Sequence, residues 1–391
     1  MQARGIIPNV VLLIAAALLA HVALSWPLWY AAGGRTFPLL PVWGEAQVPI
    51  SSGWDVLQIS VFLLTIAAAG VFSSKKYAVP GFVAALLWMV VPDLNRLQPW
   101  TYFYLLALGL VAFSGNDESR AVRGLQWLLA AVYAWGGLNK ITPYFAEDNF
   151  PWFCEAFAWT KPLGAYPVVG YAVAVAELLL APGLLWKTSR RIFRWLALGF
   201  HACIVLALSP LGLDWNAVVI PWNIAMAGMV WLLFSGQKDF TAETRRRGDS
   251  FADAIKSPHR SAATLLLALA WIFPALNIWH RWDEPLSWKM YSNTQTEAGF
   301  FLENGAICPQ LKLVWDKHAY DEGGKLLFDD WAFDNLHVPA YNRMRTHQHV
   351  AEYLCKCATD STRSGLWRLR VQRWDHSKEH WEKIPCTALI R

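Results

Sequence analysis

The sequence predicts an all-α polytopic membrane bundle of about nine transmembrane helices, followed by a small α+β domain outside the membrane. Three observations predict this class. The 391 residues are 55% hydrophobic and only 16% charged, with a positive mean hydropathy, which is far from the charge content of a soluble globular chain. Apolar runs near the length of a hydrocarbon core recur along residues 1–281. Lysines and arginines fall almost entirely into alternate connections between those runs.

The runs lie at about 6–26, 54–72, 77–92, 100–115, 122–142, 166–186, 191–209, 216–235 and 261–280. The first resembles a signal sequence in length, but HVALSWPLW offers no clean small-residue cleavage site, so it reads as a retained helix. With a cytoplasmic N-terminus, the inner connections hold Arg4, Lys75, Lys76, Arg120, Arg123, the Lys187–Arg194 group and Arg245–Arg247. The outer ones hold only Arg35, Arg96, Lys140 and Lys161, which orients the chain as an integral membrane protein of an inner membrane of bacterial type. The RRR run is read as a topology anchor beside lipid and not as a nucleic-acid site. Tryptophans near the ends of the runs suit aromatic belts.

Residues 282–391 are then expected outside, in a periplasmic or lumenal space. There Cys308, Cys355, Cys357 and Cys386 favour disulfides, whose pairing the spacing does not choose. QLKLVWDKHAYDEGGKLLFDDW reads as a β-hairpin about DEGG, residues 340–357 as a helix, and LWRLRVQRWDHSKEHWEKI as a strand pair. His347, His349, Cys355 and Cys357 form a weak metal set, since neither His-x-His nor Cys-x-Cys shares a helical face; no metal is expected.

Ionisable residues inside apolar runs carry the functional reading, because a membrane makes them costly. In AVYAWGGLNKI, Lys140 stands at the expected outer end of a run, with Gly136 and Gly137 on its own face and Tyr133 one turn deeper. The amine either snorkels to the interface or works as a base, and the bare glycines make a slot for a neighbouring helix or for a flat ligand. Glu177 and His201 are expected near mid-membrane and nearer each other than Lys140, as a buried hydrogen-bonded pair or a proton relay. His21 reads as an interface residue.

GGLNKI, GYAVAVAELLLAPGLLWKTSRR and GFHACIVLALSPLG, with RLQPWTYFYLLAL as a weaker match, resemble the membrane domain of the vitamin K-dependent γ-glutamyl carboxylase family and its bacterial HTTM relatives. The resemblance covers roughly residues 1–300. It implies that Lys140 is the base in oxygenation of a reduced quinone, with O2 and CO2 as co-substrates and no tightly bound cofactor. The family carries a second lysine where Asn139 stands, and an Asn-His pair where Pro99 and Trp100 precede Tyr102 and Tyr104. The expected function is therefore action on a membrane quinol or similar acidic small molecule, with carboxylation its strongest form. Lys140 is the expected base, Asn139 its orienting neighbour, Glu177 and His201 its buried support, and Gly136, Gly137, Tyr133, Tyr102 and Tyr104 the substrate contacts. The alternative is a non-enzymatic scaffold or maturation factor whose outer domain binds a secreted protein client.

Overall fold

Apolar sequence builds helix wherever no water is at hand to satisfy the backbone. The computed structural model describes residues 5–31, 34–48, 53–73, 78–115, 117–235, 258–292, 294, 296–303, 307–320, 324–371 and 379–390. In chain order the main helices are α1 (Ile6–Leu24), α2 (Gly53–Val71), α3 (Ala78–Val90), α4 (Pro99–Ser114), α5 (Glu118–Lys140), α6 (Pro167–Leu185), α7 (Arg190–Leu208), α8 (Val219–Phe234) and α9 (Pro258–Trp271). Among the described residues, α1, α2, α6, α7 and the segment Ser261–Trp279 are long and apolar enough to cross a membrane. Helices α3, α4 and α8 are apolar but shorter, and α9 passes into 3-10 turns over Phe273–Trp279. The Arg245–Arg247 run lies outside the described residues.

Local chemistry sets the helix ends that matter for the site. Asp117 caps α5 by accepting from Arg120 N at 3.0 Å, and Glu118 reaches across to accept from Ile6 N, so the starts of α1 and α5 lie together. Prolines occupy the first helical position of α4 and α6, where no N–H is missed. Arg190 caps the far end of α6, donating to the Leu184 and Leu185 carbonyls.

At the opposite end, the connections 25–48, 91–98, 141–166 and 209–218 all meet the C-terminal part of the chain. Thr36 N and Phe37 N donate to Asn335 Oδ1, Tyr341 N to Asn95 Oδ1 and Asn149 Nδ2 to Tyr291 O, while Trp215 packs on Phe333. Successive helices therefore alternate in direction. A buried ion network braces this end: Arg35 Nη1 lies 2.7 Å from Asp93 Oδ2, and Asp93 Oδ1 accepts from Leu40 N, Asn95 N and Asn95 Nδ2. Arg96 donates to the carbonyls of Leu28, Trp29 and Met89.

The C-terminal part is a small antiparallel sheet with helices. It contains β1 (Glu297–Leu302), α10 (Pro309–His318), β2 (Ala319–Tyr320), β3 (Lys325–Leu327), α11 (Phe328–Leu336), α12 (Met344–Cys355), β4 (Ser364–Val371) and β5 (Glu379–Pro385), in strand order β2-β3-β1-β4-β5. The β4–β5 pair and α12 agree with expectation. The hairpin about DEGG forms only in part: Ala319 and Tyr320 pair antiparallel with Leu326 and Lys325, while its expected flanks are helices. Helical period explains the difference, since Leu311 and Val314 are buried while Leu313, on the same expected strand face as Leu311, is 81% exposed. Residues 321–323 of the expected turn lie outside the described residues.

Phe300, in register with Leu326 and Leu366, faces a core continuous with that of the helices. On the other face Phe301, Trp367 and Leu369 are covered by the Lys325 and Lys383 ammonium groups, 4.8 Å from Trp367 and 5.0 Å from Phe301. Disulfides Cys308–Cys357 and Cys355–Cys386, with Cα separations of 4.9 Å and 5.5 Å, tie the end of α12 to the start of α10 and to the last turn, so both cysteines of CKC are taken.

His347 on α12 is buried beside Phe328, and among the described residues its Nδ1 has no hydrogen-bond partner. Burial, reinforced by the Arg368 charge, lowers its pKa from 6.5 to about 3. The folded protein thus binds fewer protons here than the unfolded chain between those values, and stability present above pH 6.5 is lost as pH falls. At about pH 5 the loss is roughly 2 kcal/mol, and His347→Phe removes that share. Guanidinium unfolding of the detergent-solubilised protein at pH 5 and 7.5, with and without the substitution, measures it.

Candidate functional site

Two helices come close because one lacks side chains. A Cβ added at Gly137 of α5 would strike the Leu178 amide and the Ala174 carbonyl of α6, and one at Gly136 would lie 2.5 Å from Glu177 Oε1. The space above these glycines is thus filled by α6 backbone and by a carboxylate; the reading of a slot for a flat ligand gives way to that of a seat for a neighbouring helix. Gly137→Ala is expected to cost about 1–3 kcal/mol by forcing the two backbones apart. Thermal unfolding checks this, with Gly199→Ala as the control, since a Cβ there meets nothing within 4 Å.

Lys140 and Glu177 form a buried ion pair, with Nζ 3.0 Å from Oε2 and 3.2 Å from Oε1. Nζ also donates to Gly136 O at 3.3 Å. This overturns the expectation that Glu177 sits with His201 and out of reach of the lysine. Side chains of an α-helix lean toward its N-terminus. Lys140, ending α5, leans back into the bundle; Glu177, on the oppositely directed α6, leans toward the end where Lys140 sits. The lean and the long lysine stem close a gap that helix rise alone makes about 10 Å.

His201 of α7 has both nitrogens occupied elsewhere. Its Nδ1 is 2.9 Å from Asn223 Oδ1 on α8, and the Asn223 amide is oriented by its own bond to Val219 O, so Nδ1 carries the hydrogen. Nε2 then accepts from the Tyr133 hydroxyl at 2.7 Å. Tyr133, Gly137 and Lys140 share one face of α5, so this helix bears both polar pairs.

The remaining expected residues scatter. Asn139 Nδ2 donates to Ser287 O at 2.8 Å, fastening the end of α5 to the linker into the sheet. Tyr102 donates to Leu269 O and lies tilted against the Trp288 ring at 5.2 Å; the Trp288 backbone is left-handed at φ 57°. Tyr104 packs beside Trp222 and His21, and His21 is fully buried, not interfacial as its position near a run end suggests. Asn223 was not anticipated; an amide inside the apolar run IPWNIAMAG is the signal that marks it.

Chemically, the arrangement holds one ammonium and one carboxylate out of water within proton-transfer distance. Next to it on α5 lies a neutral hydroxyl–imidazole pair of fixed polarity. Comparison with protein-family models, with curated proteins and with solved structures finds no match for this chain.

Proposed function

We propose that this chain is an integral membrane protein of nine crossings, with a cytoplasmic N-terminus and an outer disulfide-bonded domain over residues 282–391, acting on a membrane quinol or a comparable acidic small molecule. The observation that carries the reading is the Lys140–Glu177 pair, a charge pair kept inside apolar helices where it is expensive to keep. The motifs resembling the carboxylase and HTTM families direct the same position toward quinol oxygenation. The pairing refines the role. An ammonium bound to a carboxylate has no lone pair, so the base is the pair acting as a unit: the quinol O–H breaks, its proton passes to Glu177, and Lys140 offsets the charge of the phenolate. Oxygenation by O2 would follow; carboxylation is the further step against which Asn139, Pro99 and Trp100 weigh.

A second reading, a scaffold for a secreted client, is favoured by one finding: α6 backbone fills the space over Gly137. Oxygen uptake by purified protein supplied with a short-chain hydroquinone separates the two. Enzymatic action requires quinol-dependent uptake that falls about a hundredfold or more in Lys140→Ala and Glu177→Gln while the disulfides stay formed. Uptake equal in all three proteins, or none in the wild type, overturns it in favour of the scaffold.

A further inference from the structure

The end of the bundle opposite the sheet carries a run of positive charge with no acid in the helices that bear it. Lys187, Arg190, Arg191 and Arg194 lie close together where α6 turns into α7, and no acidic residue occurs between Glu177 and Asp214 or anywhere in α8. Glu177 is committed to Lys140, and Asp214 lies in the connection at the sheet end.

The arginines differ in what they do. Arg190 is spent on the fold, closing α6 through the Leu184 and Leu185 carbonyls. Arg194 lies one turn further into α7, about 6 Å along the helix. Its guanidinium sits 4.9 Å from the Trp231 ring and 5.7 Å from the Trp195 ring, and the two indoles meet edge to face at 5.7 Å. A guanidinium has several hydrogens to donate. Among the described residues, that of Arg194 makes a single bond, from Nη1 to Phe234 O at 3.4 Å, and Nε has no partner. Arg191 is exposed and makes no hydrogen bond or ion pair among the described residues.

Trp195 and Trp231 are 56% and 46% exposed on apolar helices, and Ile192 and Leu196 beside them are exposed as well, so this face meets lipid chains. Ring contact takes no hydrogen-bonding capacity from the guanidinium, whose hydrogens remain for an anion. A phospholipid answers both demands: its phosphate accepts from the guanidinium while its chains lie along the rings. A choline headgroup would bring a cation against Arg191 and Lys187, whereas an acidic headgroup leaves the phosphate charge uncancelled.

We propose that Arg191 and Arg194, with the Trp195–Trp231 pair, form a binding site for an anionic phospholipid at the end of the bundle away from the sheet. The site shares no residue with the Lys140–Glu177 pair and does not depend on turnover there, so either can fail alone.

Detergent-purified protein titrated with palmitoyl-oleoyl phosphatidylglycerol, and with phosphatidylcholine of the same chains, reports bound lipid by native mass spectrometry. Phosphatidylglycerol is expected to bind about tenfold more tightly, and Arg194→Gln to weaken its binding about tenfold. Arg191→Gln and Trp195→Leu, both at exposed positions, are expected to weaken it about threefold to fivefold each, and they decide the matter should Arg194→Gln not fold. Arg120→Gln removes an equal charge from the same end, where Arg120 is paired with Asp117, and is expected to leave the affinity unchanged. Equal affinity for the two lipids overturns the proposal. So does an affinity unchanged in the site variants, or a loss in Arg120→Gln as large as theirs, which would reduce the effect to net charge.

Discussion

Lys140→Met destabilises the protein by about 3–5 kcal/mol, because it leaves the Glu177 carboxylate buried with no counter-charge. Glu177→Gln strands the ammonium instead and costs less, since the Lys140 stem can swing its head toward the nearby helix end. The double variant Lys140→Met/Glu177→Gln recovers most of the loss, as replacement of both members of a buried pair is commonly near neutral. A thermodynamic cycle over the four proteins in detergent, followed by tryptophan fluorescence, measures the coupling. A coupling below about 1 kcal/mol would place the pair in water and remove the ground for treating it as one chemical unit.

Asp93→Ala is the second large effect, with an expected loss of at least 3 kcal/mol. Asp93 is the partner of Arg35 and lies 3.9 Å from Arg96, and it also receives the Leu40 and Asn95 amides. Asp93→Asn keeps an oxygen for those amides and should lose less. Since Asn95 in turn receives Tyr341 N, the loosening reaches the sheet-bearing part. Hydrogen exchange is expected to rise at Tyr341 and along 36–40 in Asp93→Ala, before any change along α7.

Arg35, Arg96 and Lys140 are three of the four basic residues in the expected outer connections, and each is held by buried acceptors or a carboxylate instead of water. Their exception to charge segregation is a matter of local partners.

Each apolar run forms helix, in which the backbone pairs its own polar groups among apolar side chains; α6 and α7 start and stop within one residue of the expected bounds. Where water competes the pattern is weaker, and QLKLVWDKH could be read at period two or at period 3.6. Pro309 after Cys308 is the helix-start signal that decides it. Lys140, Gly136 and Gly137 stood out because their side chains are anomalous along one helix. Their partner did not, because which helices adjoin, and how far a side chain leans, are properties of two segments at once. Tyr133–His201–Asn223 joins three helices and was hidden for the same reason.

The clasp that joins α11 to the connection following α1 has a consequence for biogenesis. Thr36 N and Asn335 Oδ1 are 299 positions apart in the chain, so the segment around Thr36 emerges from the ribosome long before its acceptor exists. Until then its amides, and the Asn95 Oδ1 that accepts from Tyr341 N, must be served by solvent or by an assembly factor. Closure of the bundle's end is therefore a late step that awaits the sheet and its disulfides. Such long-range closure folds slowly, and the interval is the period in which an immature chain is open to quality control.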